Sequence, residues 1–232
     1  MFYNLFRILG REFLKIFNVK LVKISLSERM LNILKANNQH KNIKFLQIGA
    51  NDGVSFDCLY DYITKNKWSG VAVEPLKEFY DKLCFNYSGF SNIQLVNLAI
   101  HPTEKSISLY KVNPVYYNSF ENWVKGIASF DKEHLIKHGV HESKIINETV
   151  DCINLMNLVK EYNLYDVDYI QIDTEGFDAE ILKMLDFSLL KPQMIKFEHI
   201  HLNEIELNKV ISLLKRNKYK FRKDKQDFFA YF

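Results

Sequence analysis

The sequence predicts an α/β fold, a mostly parallel sheet with helices on both faces, closed by a C-terminal antiparallel hairpin. Three observations predict it. From residue 43 onward, short apolar runs alternate with segments of helical periodicity, the pattern of strands joined by crossover helices. One apolar run feeds directly into a loop carrying Gly49 and Gly53. Carboxylates stand at the ends of later apolar runs, at Glu74, Asp173 and Glu198, along the sheet edge where open α/β folds bind ligands.

The elements follow in order. Phe2, Leu5, Phe6, Leu9, Phe13 and Phe17 recur at spacings of three and four, with Arg7, Arg11 and Lys15 on another face, which predicts an amphipathic helix. A second helix starts near Ser27 as cap, with Glu28 in its first turn. Residues 43–48 read as a strand, 54–65 as a helix, 70–73 as a strand, 76–85 as a helix and 93–96 as a strand. Residues 107–112 look extended, 113–130 irregular and rich in Tyr, Asn and Trp, and 132–137 a helical turn. The alternation resumes after Thr149 with a helix at 154–162, a strand at 167–172 and a helix at 179–185. A strand at 194–197 and a helix at 204–216 follow, then a hairpin of 219–222 and 228–232. The reading divides the chain into a basic helical extension, residues 1–42, and a main domain, residues 43–232.

Composition bounds the function. Nearly half the residues are hydrophobic and a quarter charged, as in a folded globular protein. Cys58, Cys84 and Cys152 are scattered without metal-ligand spacing, which argues for free thiols in a reducing compartment. No signal peptide or spanning segment is evident, so the cytoplasm is the expected location. Residues 1–44 hold nine basic residues against two acidic ones, so with +3 overall the remainder carries −4. That main portion lacks the basic, aromatic-studded surface of a nucleic-acid binder, and no nucleic-acid partner is expected.

The chemistry-bearing residues lie at the strand ends. Gly49 and Gly53 let the backbone turn sharply and approach a nucleotide-like ligand, with Asn51 and Asp52 between them. Glu74 can accept two hydrogen bonds from a ribose diol. Asp173 and Glu175 can serve as general base, orient a hydroxyl or bind a cation. Asp178 stands where the next helix starts and can serve as its cap. Glu198 and His199 end the next strand beside them, and histidine is the natural base near neutral pH. His201 follows two residues later.

Taken in order, Gln47-Ile48-Gly49-Ala50-Asn51-Asp52-Gly53-Val54-Ser55, Val73-Glu74-Pro75, Ile172-Asp173-Thr174-Glu175-Gly176-Phe177-Asp178 and Phe197-Glu198-His199 resemble the signatures of the FkbM-type methyltransferases. The resemblance covers about residues 43–230. It implies a Rossmann-like class I methyltransferase with a seven-stranded sheet, S-adenosylmethionine as methyl donor and oxygen methylation of a hydroxyl on a sugar, glycolipid or polysaccharide precursor. By position it implies that Gly49, Asn51 and Gly53 line the donor's amino-acid end, that Glu74 holds the ribose and that Asp173 sits near the transferring methyl. Gln47 stands where many such enzymes have an acidic residue, with Asp52 as the candidate substitute. Gln171 replaces a lysine frequent in the family.

The expected mechanism is metal-free, with His199 or Asp173 as base and Glu175 beside them. A second version gathers Asp173, Glu198 and His199 around a divalent cation. Two other readings use the same features: an NAD(P)-dependent oxidoreductase, which would show a tighter three-glycine loop, and a methyltransferase-like domain that binds without turnover. Residues 113–130, with Tyr116, Tyr117, Asn118, Trp123 and Ser129, suit an acceptor lid. Residues 1–25 suit either docking, on the domain itself or across a homodimer, or peripheral contact with an anionic membrane face carrying a lipid-linked glycan.

Overall fold

A computed structural model describes residues 24–55 and 57–232 of the chain. The amphipathic helix expected over residues 2–17 lies outside the described residues. Helix α1 (Leu26–Asn37) opens the described part. Its cap is Ser25, not Ser27: Ser25 and Glu28 exchange side-chain and backbone hydrogen bonds in a capping box. Ser27 instead donates to Asp227 at 3.3 Å, across the molecule.

Next come β1 (Lys44–Ile48), α2 (Leu59–Asn66), β2 (Ser69–Val73), α3 (Lys77–Asn86) and β3 (Ile93–Val96). After the insertion described below, β8 (Tyr169–Ile172), α7 (Asp178–Met184), β9 (Met194–Glu198), α8 (Glu204–Arg216), β10 (Lys220–Lys223) and β11 (Asp227–Tyr231) complete the main sheet. Its seven strands run in the order β10-β11-β9-β8-β1-β2-β3. β1, β2, β3, β8 and β9 pair in parallel, while β11 is antiparallel to both of its neighbours. The expected parallel sheet and C-terminal hairpin are therefore present.

Side-chain alternation explains why helices cover both faces. Leu46, Ile48, Val71, Val73, Ile170 and Ile172 point to one side and pack with residues of α7 and α8. Phe45, Ala72, Tyr169 and Phe229 point to the other and pack against Met30, Leu31 and Leu34 of α1 and Leu59 and Ile63 of α2.

Two stretches differ from the sequence reading. The helix expected from Val54 begins five residues later. Asp52 captures the amides of Val54 and Ser55 at 2.9 and 2.7 Å and the Ser55 hydroxyl at 2.6 Å, closing a turn that competes with helix. Asp57 then takes the Leu59 amide at the actual helix start.

The second difference is a small sheet formed by β4 (Ala99–Ile100), β5 (Ser106–Val112), β6 (Ala128–Ser129) and β7 (Ile145–Ile153) in the order β4-β7-β5-β6. β7 escaped the sequence reading because its residues, Ile145-Ile146-Asn147-Glu148-Thr149-Val150-Asp151-Cys152-Ile153, do not alternate cleanly. A 3-10 turn (Pro114–Ser119), α4 (Asn122–Gly126) and α5 (Lys132–Lys137) join this sheet's strands, and α6 (Leu155–Glu161) leads back to β8. Among the described residues, no helix is long and apolar enough to cross a membrane.

Candidate active site

A cavity of about 490 Å³ opens at the carboxyl ends of β1, β2, β8 and β9, a size suited to a cofactor-sized ligand. Its floor is the turn after β1. Gly49 has φ 78°, and a Cβ there would overlap the carbonyl oxygen of Asp173, so glycine is required and the two strand ends touch. Backbone bonds fix the junction: Gly49 donates to Val73 and Asp173 to Ile48, each at 3.0 Å.

Glu74 is buried at the end of β2. Its carboxylate accepts the amides of Asn51 at 2.8 Å and Leu76 at 2.9 Å. Burial pushes its pKa up to about 7, against the two amide bonds that lower it. Each oxygen has taken one amide, so the carboxylate retains acceptor capacity toward the cavity it lines.

Of the other loop residues, Asn51 lines the cavity, with φ 51°. Gly53 and Asp52 do not. Gly53 packs its backbone against Leu83 and Tyr87, where a Cβ would collide. Asp52 is committed to its own turn and cannot substitute for an acid at position 47.

Asp57 is the carboxylate that stands beside Gln47 instead. One oxygen of Asp57 accepts from Gln47 Nε2 at 3.1 Å and also from Gln171 Nε2. The buried Tyr169 hydroxyl donates to Gln171 Oε1 at 2.8 Å and so fixes that amide's orientation. Gln47 Oε1 is left buried without a hydrogen-bond partner, in a residue that lines the cavity. Lys196 lines the same end, paired with Asp227 at 3.1 Å. Burial would lower the Lys196 pKa, but Asp227, Asp57 and Asp173 around it raise it.

On the opposite wall stand the residues of the β8 turn. Asp173 is exposed and opens to the cavity. Surrounding protein, with Asp178 and Glu175 nearby, raises its pKa, an effect that solvent in the open cavity moderates. Asp178 is fully buried and acts as more than a cap. It accepts the Thr174 amide and hydroxyl at 3.2 and 2.9 Å and the Glu198 amide at 3.1 Å. Glu175 has φ 52° and lines the cavity, and Ser129 donates to its carbonyl at 3.1 Å. Burial, with Asp173 and Glu175 beside it, pushes Glu198 up to about 9.

His199 corrects the sequence reading. It does not line the cavity. Its Nε2 faces the carbonyl of Asp224 at 3.2 Å and its ring meets Phe228 edge-on, because the hairpin draws this residue outward. After the turn at Ile200 it is His201 that returns to the cavity, 3.5 Å from Glu175 and 3.3 Å from Glu198. Burial lowers the His201 pKa, and His134 and His138 add to this against Glu175.

The residues missed by sequence are Asp57, Lys196, His134 and His138. The last two sit four apart at a helical turn, a spacing that was readable. Lys196 is a lone charge within an apolar strand, also readable. Nothing local marks Asp57, which lay inside the expected helix.

The insertion forms the cavity's outer edge. Trp123, Gly126, Ile127 and Ala128 line it, but Tyr117 turns away to donate to Glu78 at 3.0 Å.

The seven-stranded sheet with one reversed strand, and a ligand-sized cavity at its parallel strand ends, define a class I methyltransferase fold. Among solved structures, the METTL16 MTase domain is similar with a TM-score of 0.50 at 12% identity, covering 92% of this chain and 70% of that one. At this identity the likeness is one of fold. The methyltransferase FkbM from Methylobacillus flagellatus KT aligns with a TM-score of 0.49 at 16% identity, over 82% of this chain and 44% of that one. No curated protein matches in sequence. The family described as Methyltransferase FkbM domain matches residues 47–221, most of the chain. The chain belongs to the FkbM methyltransferase domain family.

Proposed function

We propose that this protein transfers a methyl group from S-adenosylmethionine to a hydroxyl oxygen of a sugar, glycolipid or polysaccharide precursor. The observation that carries the donor assignment is Gln47 Oε1, a buried acceptor without a partner at the cavity floor, close to the Asp57 carboxylate. Such an unpaired acceptor is costly unless a ligand donor meets it. Two oxygens there suit the ammonium of the donor's methionine portion, which a nicotinamide dinucleotide lacks.

The remaining residues fit the same molecule. Glu74 keeps acceptor capacity for the ribose hydroxyls, and the Gly49 backbone leaves room for close approach. The donor supplies a methyl on a positively charged sulfur, open to in-line displacement by oxygen. The protein's part is to hold the reacting atoms collinear, and such positioning is worth about 7–11 kcal/mol in favourable systems. Asp173, opposite the donor cradle, is the carboxylate placed to take the acceptor's proton. Glu175 fixes the acceptor from the same turn. Trp123 at the outer edge offers an aromatic face to a sugar ring. A lipid-linked acceptor is the reading that matches the basic, phenylalanine-rich residues 1–25, which would bring the enzyme to an anionic membrane face.

Calorimetry with S-adenosylmethionine and with NAD tests the donor. Saturable binding of the first alone is expected, weakened in Gln47→Leu. Binding of NAD alone would overturn the reading. Incubation with labelled donor and cell-envelope glycans, read by mass spectrometry, tests the acceptor.

A further inference from the structure

Three histidines and a glutamate converge at one edge of the cavity and have no place in the donor cradle. His134 lies in α5, His138 is the residue that ends that helix, His201 follows β9 and Glu175 follows β8. The imidazole centroids are 4.5 Å apart for His134 with His138 and with His201, and 5.1 Å for His138 with His201. One nitrogen from each ring lies within 4.8 Å of the other two. Glu175 Oε2 is 2.9 Å from His134 Nε2 and 3.5 Å from His201 Nε2.

We propose that His134, His138, His201 and Glu175 bind a divalent transition-metal ion of the zinc type. A tetrahedral ion with bonds of about 2.0–2.1 Å holds its ligand atoms roughly 3.3 Å apart. The separations of Glu175 from His134 and His201, 2.9 and 3.5 Å, already straddle that value. The His138 Nδ1 donates to the His134 carbonyl at 2.8 Å, so its Nε2 carries the lone pair that a metal needs. Glu175 supplies the negative charge, and the imidazole-rich set selects zinc, cobalt or nickel over magnesium and calcium. Glu198 stands by as an alternative oxygen ligand, since its Oε2 is buried without a hydrogen-bond partner, 3.3 Å from His201 Nε2. This grouping differs from the Asp173, Glu198 and His199 set read from sequence. His199 is excluded by its outward position.

Three of these residues, His138, His201 and Glu175, line the cavity, so the ion would face the acceptor side. An acceptor oxygen would reach it as a fifth ligand or by displacing Glu175, since four protein ligands close a tetrahedral ion. That role rests on the methyl-transfer reading, whereas metal binding does not.

The test uses the full chain, freed of any affinity tag and stripped by chelation. Titration with zinc chloride in a calorimeter should show one site per chain, and cobalt(II) should give the intense visible absorption of a tetrahedral imidazole site. His138→Gln, at the half-exposed edge, and His201→Ala should each weaken zinc binding at least roughly tenfold. Affinity for S-adenosylmethionine should stay unchanged in both, which separates failure of the metal site from failure of the donor reading and shows that the variants fold. Absence of stoichiometric zinc uptake, or unchanged affinity in a folded His138→Gln, overturns the proposal.

Discussion

Asp178 accepts the backbone N–H of Glu198 at 3.1 Å, locking the end of β9 to the turn that follows β8. The same carboxylate holds Thr174. One buried side chain thus sets the spacing between the two strand ends on this wall of the cavity. Asp178→Ala orphans buried amides worth about 1–3 kcal/mol each. The expected outcome is a loss of at least about 2 kcal/mol in urea unfolding, together with loss of methyl transfer.

The proposed ribose contact of Glu74 makes a prediction about donor affinity. Glu74→Ala should weaken S-adenosylmethionine binding at least tenfold, since a hydrogen bond to a charged group contributes about 1.5–3 kcal/mol. Unchanged affinity in a folded variant would remove Glu74 from the ribose site.

The same residue predicts a pH dependence. In the folded protein Glu74 titrates near 7, while in the unfolded chain it ionises near 4.5. Between these values the folded state binds the extra proton, so this group's stabilisation is present below about 4.5 and is lost as pH rises to about 7. Donor binding has the opposite sign, because ribose hydroxyls donate to the carboxylate and favour its ionised form. Affinity should therefore rise with pH and level off above about 7. In Glu74→Gln calorimetry this rise should be absent.

Asp173→Asn should abolish transfer and leave donor affinity nearly intact. His199→Ala should keep most of its turnover, because that ring faces the hairpin rather than the cavity. Wild-type turnover in Asp173→Asn would sink the base assignment, and a crippled but folded His199→Ala would restore the assignment read from sequence.

Deletion of residues 1–23 tests the N-terminal segment. Membrane recruitment predicts that sedimentation with anionic liposomes disappears on deletion and weakens with salt, with thermal stability unchanged. A fall in thermal stability, without any liposome binding by the intact chain, favours docking on the protein itself.

The strands of the main sheet were legible because each is a short apolar run with few alternatives. The glycine loop and the Asp173 and Glu175 turn were legible because side-chain type and strand-end position coincide. His199 and His201 were not separable, since strand alternation would put both rings on one side and only the turn at residues 200–201 sends them apart. That turn follows the strand that pairs with the hairpin. Asp57 was hidden for a related reason: only the competing hydrogen bonds of Asp52 delay the helix and free Asp57 to face Gln47 and Gln171. β7 depends on its partner β5, and its own polar interruptions obscure it.

The strand order carries a consequence for how the molecule is made. β1 lies between β2, its near neighbour along the chain, and β8, which is synthesised far later. While a ribosome is still extending the chain, β1 to β3 can pair, but Gly49 has no Asp173 to rest against. Long-range pairings of this kind form late and slowly. On the proposed methyl-transfer reading, the nascent chain has half a donor cradle and no acceptor wall, and a donor molecule in solution does nothing for it. Only the finished chain would bind the donor, which would then stabilise it by mass action. Starvation for the donor would on this account lengthen the time newly made copies spend open to proteases.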